Sequence, residues 1–587
     1  MVSWRQKEQS KALIAQEQNG VIKDPGGRVC VALVYPNSYH VGMSNLGFHT
    51  IYALLNSRED TVCERVFLPD TPLSDQESLI SLETQRMLHE FDIIAFSVSY
   101  ENDYLNVLKI LDLARIPLDA RDRTEHDPLV IAGGACAGFN PEPLARFIDC
   151  FMVGEGEETS LEFMDRYLAW KASWKACKGA RDGSTGFPCS PGPGQSGRGS
   201  REDLLRDLAG REGFYIPRFY RVQYHADGRI AEIEATEDAP AHISQEPPAH
   251  ISQSVISDLD AYETTTRVIT PNTEFGDMFL VEISRGCRRS CNFCLMTSLY
   301  KPYRTRSPRA LLPAIKRGLS YRERIGLISA STTDHPQIQE ICSMILAEGG
   351  KVSVSSLRME SITPEILECL AVSGHKTITL APEAGSERLR KELGKSMPDE
   401  LIFDRVRQII ACGIPNLKLY FMVGLPSETE ADVEAIVSLV KRIKHVMIQT
   451  ARQKASLGKI TVNINCFVPK PLSRFERCAM EQVSVLQSKL KFLSGRLKGM
   501  PNVQVLSDVP KWAFIQAMLA RADRRVGEIL YQAHISGGNW KNACRTVNLN
   551  PEFYATRQRD ETEILPWDLF RKSTAISHPQ AQTRPEP

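Results

Sequence analysis

The 587-residue chain has no uncharged apolar run close to the ~18–20 residues that a membrane-spanning helix needs. Its opening segment, MVSWRQKEQSKALIAQEQNG, lacks the apolar stretch of a secretory signal, so a cytoplasmic location is expected. Charge of neither sign predominates. The 71 Lys and Arg face 71 Asp and Glu, which argues against a protein that coats nucleic acid or an anionic membrane. Cysteine is scarce, at 15 residues and an odd count, too few for a disulfide scaffold. No repeat of fixed period is visible. What is there, 42% hydrophobic residues over a chain of several domains' length, describes a globular protein with sizeable cores.

Residues 1–170 alternate short apolar runs with segments of helical periodicity. VCVALVYP from Val29, ERVFLP from Glu64, FDIIAFSVS from Phe91, PLVIAGG from Pro128 and FIDCFMVGEGEE from Phe147 read as strands. LGFHTIYALLN and YLNVLKILDLA between them read as helices. This α/β alternation predicts a doubly wound parallel sheet, with ligands bound beyond the carboxyl ends of its strands. Residues 171–201 are Gly-, Ser- and Pro-rich and read as a flexible linker, and 202–270 as a small β-rich connector. From 271 to 475, six further strand–helix units predict a partial (β/α)6 barrel rather than a complete one of eight. Within it a single helix is expected over 386–412, and a Thr cap followed by Pro starts another at Thr363-Pro364. Residues 476–570 read as a mainly helical extension, whose turn at Ser536-Gly537-Gly538 is expected to close the open side of the barrel, and 571–587 as a disordered tail.

Just after the first strand of the second unit stands GCRRSCNFC, with Cys287, Cys291 and Cys294 spaced C-x3-C-x2-C. Most other cysteines, Cys342 and Cys369 among them, sit in or beside apolar runs and read as small core residues. Three unrelated thiols and a zinc site are the alternatives, but structural zinc needs four ligands and no second pair is apparent. Thiolates suit iron–sulfur clusters. Three ligands leave one iron of a four-iron cube without a protein ligand, and the C-terminal end of a barrel strand is where active sites assemble.

At these residues the sequence resembles the radical S-adenosylmethionine (SAM) enzymes, with Phe293 as the aromatic of the CxxxCxΦC signature. The resemblance implies a [4Fe-4S] cluster on the three cysteines and SAM on the open iron. It also implies reductive cleavage of SAM to a hydrogen-abstracting radical, with Phe293 beside the adenine and a reductase such as flavodoxin or ferredoxin as partner. Family-like segments follow in order. SASTTD, from Ser329 to Asp334, departs from the usual Gly-Gly-Glu. SVSSLR offers Ser355 and Arg358 as polar SAM contacts, LAPEAGSE offers Glu383, and FMVGLPSET offers Gly424 for a close backbone approach. Arg304 and Arg306 in YRTRSP read either as substrate or cluster contacts or as solvated charges.

The segments VALVYPNSYHVGMSNLG, IAGGACAGFNPEP and VGEGEE resemble the cobalamin-binding-type domain fused to many radical SAM enzymes. With INCFVPKP and LPWD they are similar to a subgroup of uncharacterised radical SAM proteins whose N-terminal domain is a degenerate version of it. The cobalt-ligating Asp-x-His-x-x-Gly is replaced by Ser38-Tyr39-His40-Val41-Gly42, so His40 lacks an acidic partner. His40 and Gly42 belong to this cobalamin-like loop, and the Gly133-Gly134 and Gly154/Gly156 turns fit a nucleotide-like tail or any flavodoxin-like fold. The expectation is therefore a radical SAM enzyme, with cobalamin as an open second cofactor and methylation as one outcome. An RNA-modifying methylthiotransferase-like enzyme and a non-catalytic iron–sulfur or nucleotide-binding protein are the alternatives.

Overall fold

The computed structural model describes residues 3–71, 73, 77–181, 200–240, 250–354, 357–451 and 458–570. Ser355, most of the Gly/Ser/Pro-rich stretch and the 571–587 tail lie outside these residues. The N-terminal sheet contains β1 (Val29–Tyr35), β2 (Thr61–Phe67), β3 (Ile93–Ser97), β4 (Leu129–Gly133), β5 (Cys150–Met152) and β6 (Phe214–Tyr215), in the order β2-β1-β3-β4-β5-β6. The first five are parallel and β6 runs antiparallel to β5. All seven residues of β1 are buried, as expected of a strand covered by helices on both faces. The chain reverses order between β1 and β3, and the crevice at such a switch point is where doubly wound sheets bind ligands.

The helix Gly156–Arg181 runs into the stretch read as linker. Tyr167, Trp170 and Trp174 lie three to four residues apart on it, with ring centroids 5.3 and 6.4 Å apart, an aromatic ladder that favours helix there. The connector forms the hairpin β7 (Tyr220–Tyr224) and β8 (Ile230–Ala235), which buries Tyr220, Ile230 and Ile233 in the common core. A lone two-stranded hairpin is marginal in water, and this one leans on the rest of the molecule.

The second unit opens with β9 (Phe279–Glu282), then the short ladder of β10 (Ser284–Arg285) with β11 (Arg304–Thr305). Its parallel strands continue with β12 (Arg324–Ile328), β13 (Lys351–Val354), β14 (Thr377–Glu383), β15 (Asn416–Val423) and β16 (Ile460–Cys466). A hydrogen bond from Leu357 N to Thr379 O spans the gap between the β13 and β14 sides of this partial barrel. Thr363 accepts from Ile366 N and starts the next helix, as its sequence predicts. In β14, β15 and β16 every second residue is buried and the intervening residues are partly exposed, the period of two expected of strands with unlike faces.

The 476–570 region holds five helices and also a seventh parallel strand, β17 (Val503–Ser507), which extends the sheet beyond β16. It is a half-exposed edge strand of five residues, so its sequence carries no buried apolar face to reveal it. The turn at Ser536-Gly537-Gly538 does not close the barrel. The helix before it, Val526–Ile535, packs on the N-terminal helix Tyr104–Leu113, where His534 Nε2 lies 3.0 Å from Asp112. The C-terminal extension instead fastens the two halves together. Asn140 Nδ2 donates to the carbonyls of Ala520 and Ala522, and Arg524 binds the buried Glu142 at 2.8 Å.

Candidate active site

The three cysteines lie on the loop between β10 and β11. Gly286 opens this loop at φ +80°, where any Cβ would collide with the Tyr300 carbonyl oxygen. Cys291 is buried, and Cys287 and Cys294 are partly so. Among the described residues no group of three or more His, Cys, Asp or Glu is arranged to hold a metal ion. The thiols nevertheless feel one another. Burial raises the pKa of Cys287, opposed by an N–H from Arg289 and the charge of Arg358, and Cys291 raises it further. Burial likewise raises Cys294, with Cys291 and Cys287 adding to it. Arg358 Nη1 stands 3.8 Å from Cys291 Sγ. Three thiols on one arm, with a guanidinium at hand to offset thiolate charge, are the donor chemistry of an iron–sulfur centre.

The arm is held from three sides. Arg289 forms a paired contact with Asp334 at 2.9 and 2.6 Å, and Ser331 Oγ donates to the same carboxylate. Burial would raise the Asp334 pKa, but these hydrogen bonds and the Arg289 charge carry it down to about 2. SASTTD thus supplies an anchor for the cluster arm. On a second side, Asn292 N donates to Leu393 O and Asn292 Nδ2 to Glu392 O. This cradle exists because the helix expected over 386–412 is broken into Glu387–Glu392 and Asp399–Ala411. Gly394, at φ +74°, sits where a Cβ would come within 2.9 Å of Ser290 O. Gly394 and Pro398 were the available sequence signals for that break.

The third side is an ion network shared with the N-terminal unit. Arg285 reaches Glu157 (2.7 Å), Glu282 (2.9 Å) and Glu155 (3.1 Å), and Arg304 also pairs with Glu155. Arg306 pairs with Glu282 at 2.7 Å and donates to backbone carbonyls. Arg304 and Arg306 are 9% and 4% exposed, so the expectation of substrate contacts or solvated charges is overturned: both are interior interface residues.

The remaining expected SAM contacts gather at the strand ends around this arm. Phe293 packs beside a small cluster of Ala384, Leu389, Leu393, Leu425 and Phe467, contributed after β14, β15 and β16. Glu383, at the end of a bulged β14, has φ +70°, a strained setting for a residue with a side chain, and its carboxylate is 2.8 Å from Lys395 Nζ. Gly424 has φ +81° and donates its N–H to Glu428. Arg358 Nε and Glu360 Oε2 are buried without a hydrogen-bond partner, polar capacity of the kind a bound zwitterion fills.

Between the two units lies a cavity of about 520 Å3. Leu33, Ala95, Ile131 and Met152 from the N-terminal sheet form its apolar wall, and Gly133, Gly134, Gly154 and Gly156 its rim. Gly134 (φ +99°) and Gly154 (φ +107°) press against the backbones of Val98 and Ser254, leaving no room for a Cβ. Ser284, Arg285, Gly286 and Met296 of the cluster arm close the opposite side. Gly133 and Gly134 therefore belong to this site, but His40 and Gly42 do not. His40 is exposed on the short helix Tyr39–Gly42, 3.6 Å from Glu274, and Gly42 is packed against Phe67 and Tyr35.

An α/β protein in which a doubly wound sheet faces a partial barrel across a three-cysteine arm is the class these features define. The family description Radical SAM superfamily matches residues 281–440, and Radical SAM proteins, N-terminal, matches 47–181. The chain belongs to the radical SAM superfamily. It is 27% identical over 504 residues to an uncharacterised protein of Methanocaldococcus jannaschii, covering 85% of this chain and 90% of that one. Over 235 residues it is 24% identical to tRNA-2-methylthio-N(6)-dimethylallyladenosine synthase of Geobacillus thermodenitrificans, 37% of this chain and 44% of that one. Among solved structures it is similar to the cobalamin-dependent radical enzyme OxsB (TM-score 0.46, 15% identity, 72% of this chain and 53% of that). It is also similar to the methyltransferase TsrM of Kitasatospora setae (0.45, 13%, 74% and 72%).

Proposed function

We propose that this protein is a radical SAM enzyme in which Cys287, Cys291 and Cys294 hold a [4Fe-4S] cluster and Phe293, Arg358, Glu383 and Gly424 surround SAM. When bound and reduced, such a cluster supplies one electron to the sulfonium of SAM and so starts radical chemistry. The observation that carries the reading is the braced three-thiol arm at the C-terminal ends of the barrel strands. Arg358, with an unused Nε, offers charge to a carboxylate. Glu383 with Lys395 offers an acceptor and a donor to an amino group or a ribose. Phe293, partly buried beside Ala384 and Leu425, offers an apolar face.

The apolar wall of the cavity between the units suits the aromatic base that ends a corrinoid's nucleotide tail, and with His40 on the outer surface the cobalt would have no ligand from that loop. Methylation of an unactivated carbon is then the leading reaction type. The methylthiotransferase-like reading ranks second. Likeness to such enzymes over 37% of the chain favours it, while Cys30, Cys63 and Cys136 are buried in the core rather than gathered for a second cluster.

Anaerobic reconstitution tests the reading. The expected result is 5′-deoxyadenosine released from SAM on reduction, and an intact cluster that leaves SAM uncut would contradict it. Hydroxocobalamin should co-elute with the full chain, and Ser160→Phe, which fills the cavity from the helix side, should weaken retention about tenfold while leaving iron content unchanged.

A further inference from the structure

The helices Ile338–Ala347 and Pro364–Val372 flank β13 on the outside of the barrel. Cys342 lies on the first and Cys369 on the second, and both line one surface groove of about 310 Å3. Gln339, Glu365 and Glu368 stand around the same groove, giving it a polar mouth. The two residues are 4% and 6% exposed, on helices that pack against each other, and each thiol shifts the ionisation of the other. In sequence both read as ordinary core cysteines. A core cysteine is enclosed on all sides, whereas these two share the wall of one open groove between packed helices.

We infer that Cys342 and Cys369 form a redox-active dithiol, which a peroxide converts to a disulfide linking the second and third helices of the barrel. The Cys369 thiolate attacks one peroxide oxygen, the O–O bond breaks, and the product is a sulfenic acid with one water released. Cys342 sulfur then attacks the sulfenic sulfur, the S–S bond forms, and the hydroxyl leaves as a second water. The two thiols lose two electrons to the peroxide, and their two protons end in the waters. The order follows from the opposite shifts of the two thiols. Interaction with Cys342 draws the Cys369 thiol pKa down, aided by Ser373 and opposed by burial. Interaction with Cys369, together with burial, raises that of Cys342.

The position gives the bond a structural consequence. The helix of Cys342 follows the loop whose Asp334 anchors Arg289, and the helix of Cys369 follows the loop whose Arg358 meets Cys291. Thr333 Oγ1 and Ser361 Oγ already join those loops at 2.9 Å. A disulfide would fasten the same two barrel units from outside. The inference is independent of the proposed radical chemistry, because it concerns thiols outside the cluster arm.

The test uses the full chain, treated anaerobically with graded hydrogen peroxide, quenched with iodoacetamide and digested with trypsin without reduction. Cys342 and Cys369 fall on separate tryptic peptides, 325–351 and 359–376, each with a single cysteine. The linked pair of peptides should appear about tenfold sooner than oxidation of the partly exposed Cys478 and Cys544, and dithiothreitol should reverse it. Cys342→Ser should abolish the linked pair and leave Cys369 trappable by dimedone, while Cys369→Ser should leave Cys342 open to alkylation. Recovery of both wild-type peptides singly alkylated, at a peroxide dose that has oxidised Cys478 and Cys544, would overturn the inference without any variant having to fold.

Discussion

The two surfaces that meet around the cluster arm are built differently. The barrel side is a frame of charge: Arg289 on Asp334, and Arg285 and Arg306 on Glu282. The N-terminal side is an apolar wall of alternate sheet residues, edged by glycines of which Gly134 and Gly154 pack directly on neighbouring backbone. Charged frames fix atoms in one geometry, because each guanidinium satisfies several acceptors at once. Apolar walls select by shape and volume and tolerate a range of occupants. By that difference the arm is held in one geometry, whereas the cavity's affinity depends on what fills it.

The largest effect that would sharpen this contrast is expected from Cys291→Ala, the buried cysteine beside Arg358. Iron and sulfide should fall to background while retention of hydroxocobalamin is unchanged, since no cavity-lining residue is altered. Loss of corrinoid as well would mean that the two surfaces are not separable.

Glu155→Gln attacks the seam itself. It leaves Arg304 and part of Arg285 uncompensated in the interior, and breaking a buried ion pair from one side typically costs about 3–5 kcal/mol. The urea midpoint should drop accordingly, and a stability within error of wild type would show the seam to be decorative.

Asp334 gives a pH signature on the barrel side alone. Its carboxyl pKa is depressed from 3.8 to about 2 in the fold, so its contribution is complete above the unfolded value and is lost as pH falls through about 2. Asp334→Asn should cost up to about 2 kcal/mol near neutrality, discounted for the partly exposed Arg289, and nothing below the folded value. Paired urea titrations at pH 7 and near pH 2 check the sign. The smallest expected effect is that of His40→Ala. An exposed imidazole off the cavity should change neither corrinoid retention nor cluster content, measured by absorbance and iron analysis.

The reach of the sequence differed between the same two regions. The strands of the N-terminal sheet were legible because continuous apolar runs such as VCVALVY can be buried on both faces and little else. The cysteine arm was legible because its spacing is local. What sequence could not supply were partners distant in the chain: Asp334 for Arg289, Glu155 for Arg285 and Arg304, the Leu393 carbonyl for Asn292. The arginines of YRTRSP stayed unassigned in sequence because a cluster of charges reads the same whether it faces solvent, substrate or buried carboxylates. Gly394 hid inside a segment otherwise suited to one helix. For His40 the missing acidic partner already argued against a ligand role, and the structure has it exposed near Glu274.

The most direct measurement is electron paramagnetic resonance of the reduced, reconstituted full chain, with iron and sulfide quantified, before and after addition of SAM. The account predicts four irons and four sulfides per chain and a signal whose g-values move when SAM binds the iron that lacks a cysteine. A signal indifferent to SAM, or a chain that retains zinc on these thiols and assembles no cluster, would contradict it.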